Sequence, residues 1–219
     1  GFNMLKLLLK ELKLNVKLPL YLFTLLAAMM LIPSYPIIVG AGYTIMQVFV
    51  YLQLCAANKS MEFTAVLPVK RRDIVASTTV VIVFFQALFT AVSLLLLPVA
   101  KLLHVANGNI VGIDGNFTYV TMALVCFGLF NLAFLPKFFS TGYKYGPALL
   151  PGTVFFVVGY LVMETIVQAV PTVKAIFDGY NEQYLWARAA AAVVALVAYV
   201  GLTFAANNIA VKKFEKVNL

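Results

Sequence analysis

Glu164 is the residue of this sequence best suited to chemistry in an apolar environment, because it is the one ionisable side chain well within a long apolar run. A charge inside a membrane costs about 2.5–3.5 kcal/mol on insertion scales, so such a residue usually faces a partner or a water-filled cavity. One interpretation is that Glu164 lines a substrate path. The other is a structural carboxylate near the outer end of its run, bonded to a neighbour or reaching the surface.

Amide side chains within other apolar runs are weaker candidates of the same kind. They are Gln47, Gln53, Gln86, Asn131 and Gln168. We take Gln86, Asn131 and Gln168, together with Glu164, as candidates for lining a path. Each amide equally suits a hydrogen bond between helices, which is the commoner use of such residues in membranes.

No arrangement of residues typical of an enzyme is present. The sequence has no Ser–His–Asp pattern, no paired carboxylates and no GxxxxGK[ST] phosphate loop. His104 has no Cys or carboxylate near it, and Cys55 and Cys126 lie in apolar runs, where a thiol is usually a small buried apolar group. We expect no catalytic residues, no metal site and no cofactor in this chain, so any ATP and Mg²⁺ would be bound by another chain.

The composition is that of an integral membrane protein. Of the 219 residues, 63% are hydrophobic and 11% are charged, whereas soluble domains carry roughly 25% charged residues. A helix needs about 20 apolar residues to cross a bilayer. Six runs qualify, at about 18–33, 37–57, 74–97, 118–139, 147–170 and 185–210. The sequence therefore predicts an all-α, polytopic protein with a single transmembrane domain over residues 1–219.

An amphipathic helix is predicted at residues 4–17, before the first span. Lys6, Lys10, Lys13 and Lys17 recur at spacings of four, three and four, which places them on one helical face opposite a stripe of leucines. Such a helix can lie in the membrane interface with its lysines toward anionic headgroups. We expect the first span, which is short, to continue this helix or to tilt little.

The distribution of charge predicts the orientation. With the N-terminus inside, 13 of the 16 Lys and Arg residues lie in inside segments, and only Lys101, Lys174 and Arg188 lie outside. The positive-inside rule therefore predicts six spans with both termini in the cytoplasm. The positive-inside rule therefore accounts for the net charge of +8. For that reason we expect no nucleic acid partner.

The longest polar interruption in the first half of the chain reads NKSMEFTAVLPVKRRDI, from Asn58 to Ile74. Lys59 to Val66 is compatible with a short helix, which Leu67-Pro68 should end because proline disfavours a helical residue before it. Lys70-Arg71-Arg72 follow, and Asp73 suits the N-cap of the third span. A short helix between two spans, flanked by basic residues, can present a docking surface to a cytoplasmic partner.

Two further local signals are readable. Pro98 is expected to end the third span, since proline lacks a backbone donor. Asn116-Phe117-Thr118 matches an N-glycosylation sequon in the following loop.

Two stretches carry a family resemblance. MLKLLLKELKL at the start and LPVKRRDIV at the end of the first cytoplasmic loop, together with six spans, resemble the small permease subunits of type-2 ABC exporters. The likeness in topology covers essentially the whole chain. Within that family, the chain looks most like permeases of amphipathic-peptide exporters such as the phenol-soluble modulin exporter.

The resemblance implies a coupling region at residues 58–73 that contacts a separate ATP-binding subunit. Its coupling helix would sit in a groove of that subunit. The contact residues implied are Lys59, Met61, Glu62 and Phe63, with Arg71 and Arg72 flanking them. Two permease chains, identical or related, would assemble with two ATP-binding chains in the plasma membrane of a bacterium. The substrates implied are amphipathic or hydrophobic peptides of the toxin or antimicrobial type, which enter from the inner leaflet.

Other functions remain open at this point. The chain could be a membrane immunity or scaffold protein that sequesters a peptide without transport, or a permease for drugs or lipids. The short loop between the fifth and sixth spans argues against the sterol-transporter branch of the family. A secondary transporter is disfavoured by the single intramembrane charge and by the lack of clear inverted repeats.

Overall fold

The computed structural model describes residues 4–102 and 108–217, so that His104 lies outside the described residues. The helices in the described part are α1 Met4–Leu14, α2 Leu18–Leu25, α3 Ile38–Ala57, α4 Ser60–Ala65, α5 Arg71–Leu102, α6 Phe117–Ser140, α7 Tyr145–Ala169, α8 Pro171–Phe177 and α9 Leu185–Phe214, with short 3₁₀ helices at Leu26–Leu31 and Glu182–Tyr184. The structure is 82% helical, and no strand occurs in these residues. The predicted all-α fold is confirmed.

Five helices of the described chain are long and apolar enough to cross a membrane, namely α3, α5, α6, α7 and α9. A sixth span exists only if α1 and the segment Leu18–Leu31 count as one span, bent by 84°. A polytopic membrane protein is therefore confirmed, with five regular spanning helices and one irregular N-terminal segment.

Of the two expectations for the first span, continuation of the N-terminal helix is wrong. The first span does not continue α1, because Lys17 is extended, with φ −98° and ψ 160°, and the chain bends there. Pro19 explains the break, since it has no N–H with which to continue a helix from α1 and favours the first turn of a new helix. The eight residues of α2 and the six-residue 3₁₀ helix extend about 24 Å, which is shorter than the ~30 Å hydrocarbon core.

The third predicted span is longer at both ends than expected. Pro98 lies inside α5 and does not end it. Long membrane helices tolerate the loss of the single backbone hydrogen bond that proline cannot make. Asp73 is not the N-cap, because α5 begins at Arg71 and Asp73 lies in its first turn. A carboxylate in that position still interacts favourably with the positive end of the helix dipole.

α6 is the central helix of the bundle. In its most apolar stretch 72% of the residues are buried, against 22% in α7 and in α9, which leave one face for lipid or a partner. Phe130, Phe134 and Phe138 stack along α6, with ring centroids 5.1 and 5.4 Å apart. Gly152 lets α7 approach closely, because a Cβ there would lie 2.8 Å from the Phe130 ring.

The bundle has two ends that carry different segments. α1, α4, the turn between α6 and α7 and the last turn of α9 meet at one end, which we call the α4 end. The loop at residues 108–116, α8 and the turn at residues 33–36 meet at the other, which we call the α8 end. Every site described below lies at one of these two ends, or in the bundle between them.

Candidate functional site

α4 is a separate short helix that leaves α3 through a sharp turn. Lys59, which precedes it, has φ 50° and ψ 29° in the left-handed region, a conformation uncommon outside glycine. The Leu67 N–H still bonds the Thr64 carbonyl at 3.2 Å, and Pro68 follows. The turn at Lys59 on one side and Pro68 on the other thus leave α4 as a helix of six residues between α3 and α5.

The residues of the predicted coupling contact do not all face the same way. Lys59 and Glu62 are exposed, and Phe63 is 57% exposed. Met61 is 6% exposed and faces the bundle. An exposed aromatic ring beside a charged side chain is typical of an anchor for a protein partner, whereas Met61 is positioned to pack α4 against its own chain.

Glu11 of α1 fastens α1 to both α4 and α3. The side chain is buried, and its two oxygens have different partners. Oε1 accepts a hydrogen bond from the Ser60 hydroxyl of α4 at 3.0 Å and pairs with Lys10 Nζ at 2.9 Å. Oε2 accepts hydrogen bonds from Asn15 at 2.6 Å and from the Tyr51 hydroxyl of α3 at 3.1 Å. A carboxylate can be buried only when it is paired in this way.

Lys10 does not point to the headgroups as predicted. Its ammonium is mostly buried, pairs with Glu11 and donates to the Ser60 carbonyl at 3.2 Å and to the Thr64 hydroxyl. The stripe of lysines therefore divides, because Lys13 and Lys17 are exposed while Lys10 faces α4. The buried acceptors of α4 and of Glu11 outweigh the attraction of this one lysine to a lipid surface.

The two arginines after α4 also have different surroundings. Arg71 donates to the carbonyls of Phe214 and of Val217, the latter at 2.9 Å, and its guanidinium lies 5.1 Å from the Phe214 ring centroid. It thereby satisfies carbonyls at the C-terminal end of α9, which a helix leaves without partners. Arg72 is exposed. The role of both arginines beside a partner stays a prediction, and Arg71 has a clear structural task.

A cavity of about 420 Å³ lies behind α4, between it and the turn that joins α6 to α7. Cys55, Lys59 and Met61 line one side, and Phe138 and Tyr143 line the other. This cavity separates part of α4 from the rest of the bundle. α4 is therefore held mainly through α1 and through its connection to α3.

Glu164 lies near the end of α7 closest to α8. Its Oε1 accepts a hydrogen bond from Gln168 at 3.3 Å, and Gln168 also donates to Asp178 at 3.3 Å. Oε2 is buried and has no hydrogen-bond partner among the described residues. A Cβ on Gly112 would lie 2.9 Å from Oε1, so the loop at residues 108–116 packs directly against this carboxylate.

Two cavities meet at Glu164. One, of about 610 Å³ and here called the vestibule, is lined by the loop at residues 108–116 and the ends of α7 and α8, including Gln168, Lys174 and Asp178. The other, of about 670 Å³ and here called the groove, runs between α3 and α7. Val111, Leu161 and Glu164 line both. Of the four predicted path residues, Glu164 and Gln168 are thus brought together at a cavity.

A second carboxylate, Asp114, stabilises the loop beside the vestibule. Its Oδ1 accepts the Asn109 N–H at 3.0 Å, and its own N–H donates to Asp178 at 3.1 Å. Burial raises the pKa of the Asp114 carboxyl, the Asn109 N–H opposes that rise, and the negative charge of Asp178 adds to it. Burial also raises the pKa of Tyr180 to about 12, so its hydroxyl stays a donor to the Gly115 carbonyl.

Gln86 and Asn131 lie elsewhere, in a buried polar cluster between α5, α6 and α9. Their amides exchange two hydrogen bonds of 2.8 and 3.0 Å. Asn131 also donates to Thr203, and Gln86 accepts from the Tyr199 hydroxyl at 2.7 Å. Neither amide lines a cavity named above. Their place in a substrate path stays a prediction, and their observed contacts are those of interhelical hydrogen bonding.

Asn116 of the sequon is a structural residue. Its side chain caps α6 by accepting the Tyr119 N–H at 3.1 Å and donates to the carbonyls of Phe177 and Gly179. The residue is 1% exposed. A glycan on this nitrogen is incompatible with the observed fold, so the sequon match is coincidental.

Comparison with protein families decides the broader identity. The family model described as ABC-2 family transporter protein matches residues 6–215, which extend from the first turn of α1 past the end of α9. The chain belongs to this family. No curated protein and no solved structure gives a significant match.

Membership of this family bears on whether the chain has a partner that binds ATP. ABC-2 permeases are transport subunits, generally without catalytic activity of their own, and normally work with a separate ATP-binding chain. The described part of this ABC-2 transporter protein contains no group of three or more His, Cys, Asp or Glu residues able to hold a metal ion.

Sequence reasoning missed Glu11. The only signals are that it is the sole acidic residue before Glu62 and that Asn15 follows it at i+4, a spacing that brings two side chains together on a helix. Its partners in α3 and α4 are 40 to 49 residues away in sequence. No local pattern reveals them.

Proposed function

We propose that this ABC-2 protein is the permease subunit of an ATP-driven exporter of cationic amphipathic peptides. The observation that supports this most is the meeting of an apolar groove and a polar vestibule at Glu164. An amphipathic peptide needs both environments on one path, because its apolar face partitions into the bilayer while its charges must reach water.

The groove suits the apolar face of such a peptide. Its walls are apolar side chains of α3 and α7, among them Ile45, Met46, Phe156 and Val157. Met46 is 46% exposed and Val157 is 44% exposed, so the groove is accessible from the side of the bundle. An amphipathic helix can bind by laying its apolar face into an apolar groove of matching width. A peptide dissolved in the leaflet can therefore enter laterally.

The vestibule suits the charged face. Two carboxylates, Glu164 and Asp178, and one ammonium, Lys174, line it. Lys174 Nζ lies 3.9 Å from Asp178 Oδ2, which leaves Glu164 without a cationic partner in the described residues. An ammonium or guanidinium group of the substrate would supply one, and would satisfy the buried Oε2.

The α4 end supplies the link to ATP. Phe63 and Glu62 project from α4 for contact with an ATP-binding subunit, with Lys59 at the start of the helix. Closure of a pair of such subunits would move α4 and switch two permease chains between inward-open and outward-open arrangements. That movement requires contacts that differ between the two states. The second permease, identical or related, would cover the open side of the groove.

The first test is reconstitution with candidate ATP-binding subunits encoded beside this chain. The complex is purified, placed in lipid vesicles, and its ATP turnover is measured with and without a cationic amphipathic peptide. We expect a stable complex whose turnover rises with the peptide. Glu164→Gln should reduce that stimulation about tenfold, which corresponds to the loss of about 1.4 kcal/mol of binding free energy. Glu182→Gln is the matched control, because that carboxylate is 84% exposed.

Each outcome separates the alternatives. Turnover that ignores peptides but responds to drugs or lipids would retain the permease and exclude the peptide substrate. A well-folded chain that binds peptide but no ATP-binding subunit would point to a sequestering immunity or scaffold protein. Equal stimulation in Glu164→Gln and in the control would remove Glu164 from the path.

A further inference from the structure

We propose that Glu11 is a positioning residue that makes α1 and α4 a single moving unit, so that the ATP-driven displacement of α4 also displaces α1. This inference rests on the proposed function. It concerns five residues, here called the clasp: Lys10, Glu11 and Asn15 at the end of α1, and Ser60 and Thr64 of α4.

The clasp joins the two helices through buried, charge-assisted hydrogen bonds. Lys10 reaches two acceptors on α4, the Ser60 carbonyl and the Thr64 hydroxyl. Glu11 accepts from the Ser60 hydroxyl, and Asn15 donates to that same hydroxyl oxygen at 3.0 Å. Ser60 is 3% exposed and Asn15 is fully buried. Water cannot replace these partners without opening the interface, so separation of α4 from α1 leaves buried charges unpaired.

The clasp is the main polar attachment of α4 to another helix. The chain turns at Lys59 before α4 and at Pro68 after it. The cavity behind α4 also reduces the packing of α4 against α6 and α7. α1, in contrast, ends at Leu14, and the chain then bends by 84° through the extended residue Lys17 into α2. That bend lets α1, which packs along α5, change its angle to α2 while it stays bound to α4.

Glu11 also connects this unit to α3. Its Oε1 faces Ser60 and Lys10, whereas its Oε2 accepts from Tyr51 and Cys55 of α3, the latter at 3.6 Å. One carboxylate thus bridges α1, the coupling helix and the helix that forms one wall of the groove. Displacement of α4 is passed through Glu11 to both neighbours.

The test uses a variant that cuts the clasp but leaves Glu11 paired. Ser60→Ala with Thr64→Val removes both hydroxyls of α4, while Lys10, Asn15 and Tyr51 still bind the carboxylate, so the chain should fold. The matched control is Thr90→Val with Ser140→Ala, because those hydroxyls bond carbonyls of their own helices and lie outside both the clasp and the cavities. Glu11→Asp is a second variant that keeps the charge and shortens its reach.

The measurement is hydrogen–deuterium exchange in the complete complex, with and without a non-hydrolysable ATP analogue. In the parent and the control, we expect the analogue to change exchange at residues 4–17 as well as at residues 58–66. In the clasp variant the change at residues 4–17 should fall at least about fivefold and transport about tenfold, as typical coupling between sites predicts. A purely structural role would alter exchange equally with and without nucleotide.

The outcomes are distinct from those of the proposed function. The role of the clasp would be overturned if the nucleotide response at residues 4–17 were unaltered in the clasp variant, or absent in the parent. Transport by the parent would still support the permease in either case. A chain that forms no complex with the ATP-binding subunit would overturn the proposed function itself, which co-purification measures separately.

Discussion

The hydroxyl of Ser60 in α4 donates a 3.0 Å hydrogen bond to Oε1 of Glu11 in α1, across 49 residues of sequence. Both residues are 3% exposed. The contact ties the amphipathic N-terminal helix to the short helix that we propose as the contact with an ATP-binding chain. The α4 end of the bundle therefore contains a buried cluster of polar side chains around Glu11.

Removal of the carboxylate should strongly destabilise this protein. Glu11→Ala leaves the mostly buried Lys10 ammonium without its counter-charge, and breaking a buried pair costs about 3–5 kcal/mol. For a chain of this size each kcal/mol lowers the melting temperature by about 2–4 °C. Glu182→Ala, at the exposed pair with Lys101, should cost about 0–1 kcal/mol. Thermal unfolding in detergent compares the two, and equal melting temperatures would contradict the buried pairing.

Truncation of Phe63 should weaken binding of the ATP-binding subunit without affecting the fold. The ring is 57% exposed, and loss of an interface anchor costs about 2 kcal/mol or more, so the affinity should fall about 30-fold or more. Phe204→Ala is the control, because that ring is also exposed but lies on α9. Met61→Ala should instead lower the melting temperature, since Met61 is buried. Affinity measured on the purified chains decides this, and an equal loss in both Phe variants would rule out the anchor.

The amide pair of Gln86 and Asn131 should behave as interhelical bonding. In a double-mutant cycle with Gln86→Leu and Asn131→Leu, we expect a coupling free energy of about 0.5–1.5 kcal/mol, the range typical of hydrogen bonds inside membranes. Peptide-stimulated ATP turnover, normalised to folded protein, should stay within about twofold of the parent. A selective loss of stimulation with normal stability would instead place these amides in the substrate path.

Asp114 predicts a pH dependence of known sign. Its pKa is raised in the folded state by burial, so the folded chain binds this proton more tightly than the unfolded chain. The charged form therefore costs stability above the raised pKa, and the cost disappears as the pH falls toward the ordinary value of 3.8. Asp114→Asn keeps an acceptor for the Asn109 N–H and removes the charge.

The melting temperature of Asp114→Asn should be about 1–3 °C above that of the parent at pH 7. The gap should close as the pH is lowered through the window above 3.8. Glu182→Gln serves as the control carboxylate at the same end of the bundle. A gap that widens on acidification would show that the Asp114 charge is favourable and that its pKa is lowered.

Local properties of the chain determined the fold class and the positions of its helices. The lengths of the apolar runs predicted the helices α3, α5, α6, α7 and α9, and the sequence from Lys59 to Pro68 predicted α4. These features depend on residues within one or two turns of each other. The same locality explains the errors at Pro98 and Asp73, because a long packed helix overrides signals that would end or begin an isolated one.

Tertiary structure alone decided which polar residues act together. The lysine stripe of α1 contains no sign that Lys10 turns inward, and Arg71 could not be assigned to the end of α9 without the packing of helices that are 143 residues apart. Glu164 was visible as an isolated charge, but its place between groove and vestibule depends on how α3, α7 and residues 108–116 meet. Burial of Glu11 is stable only because donors from three segments converge on it, and that convergence is a property of the packed bundle.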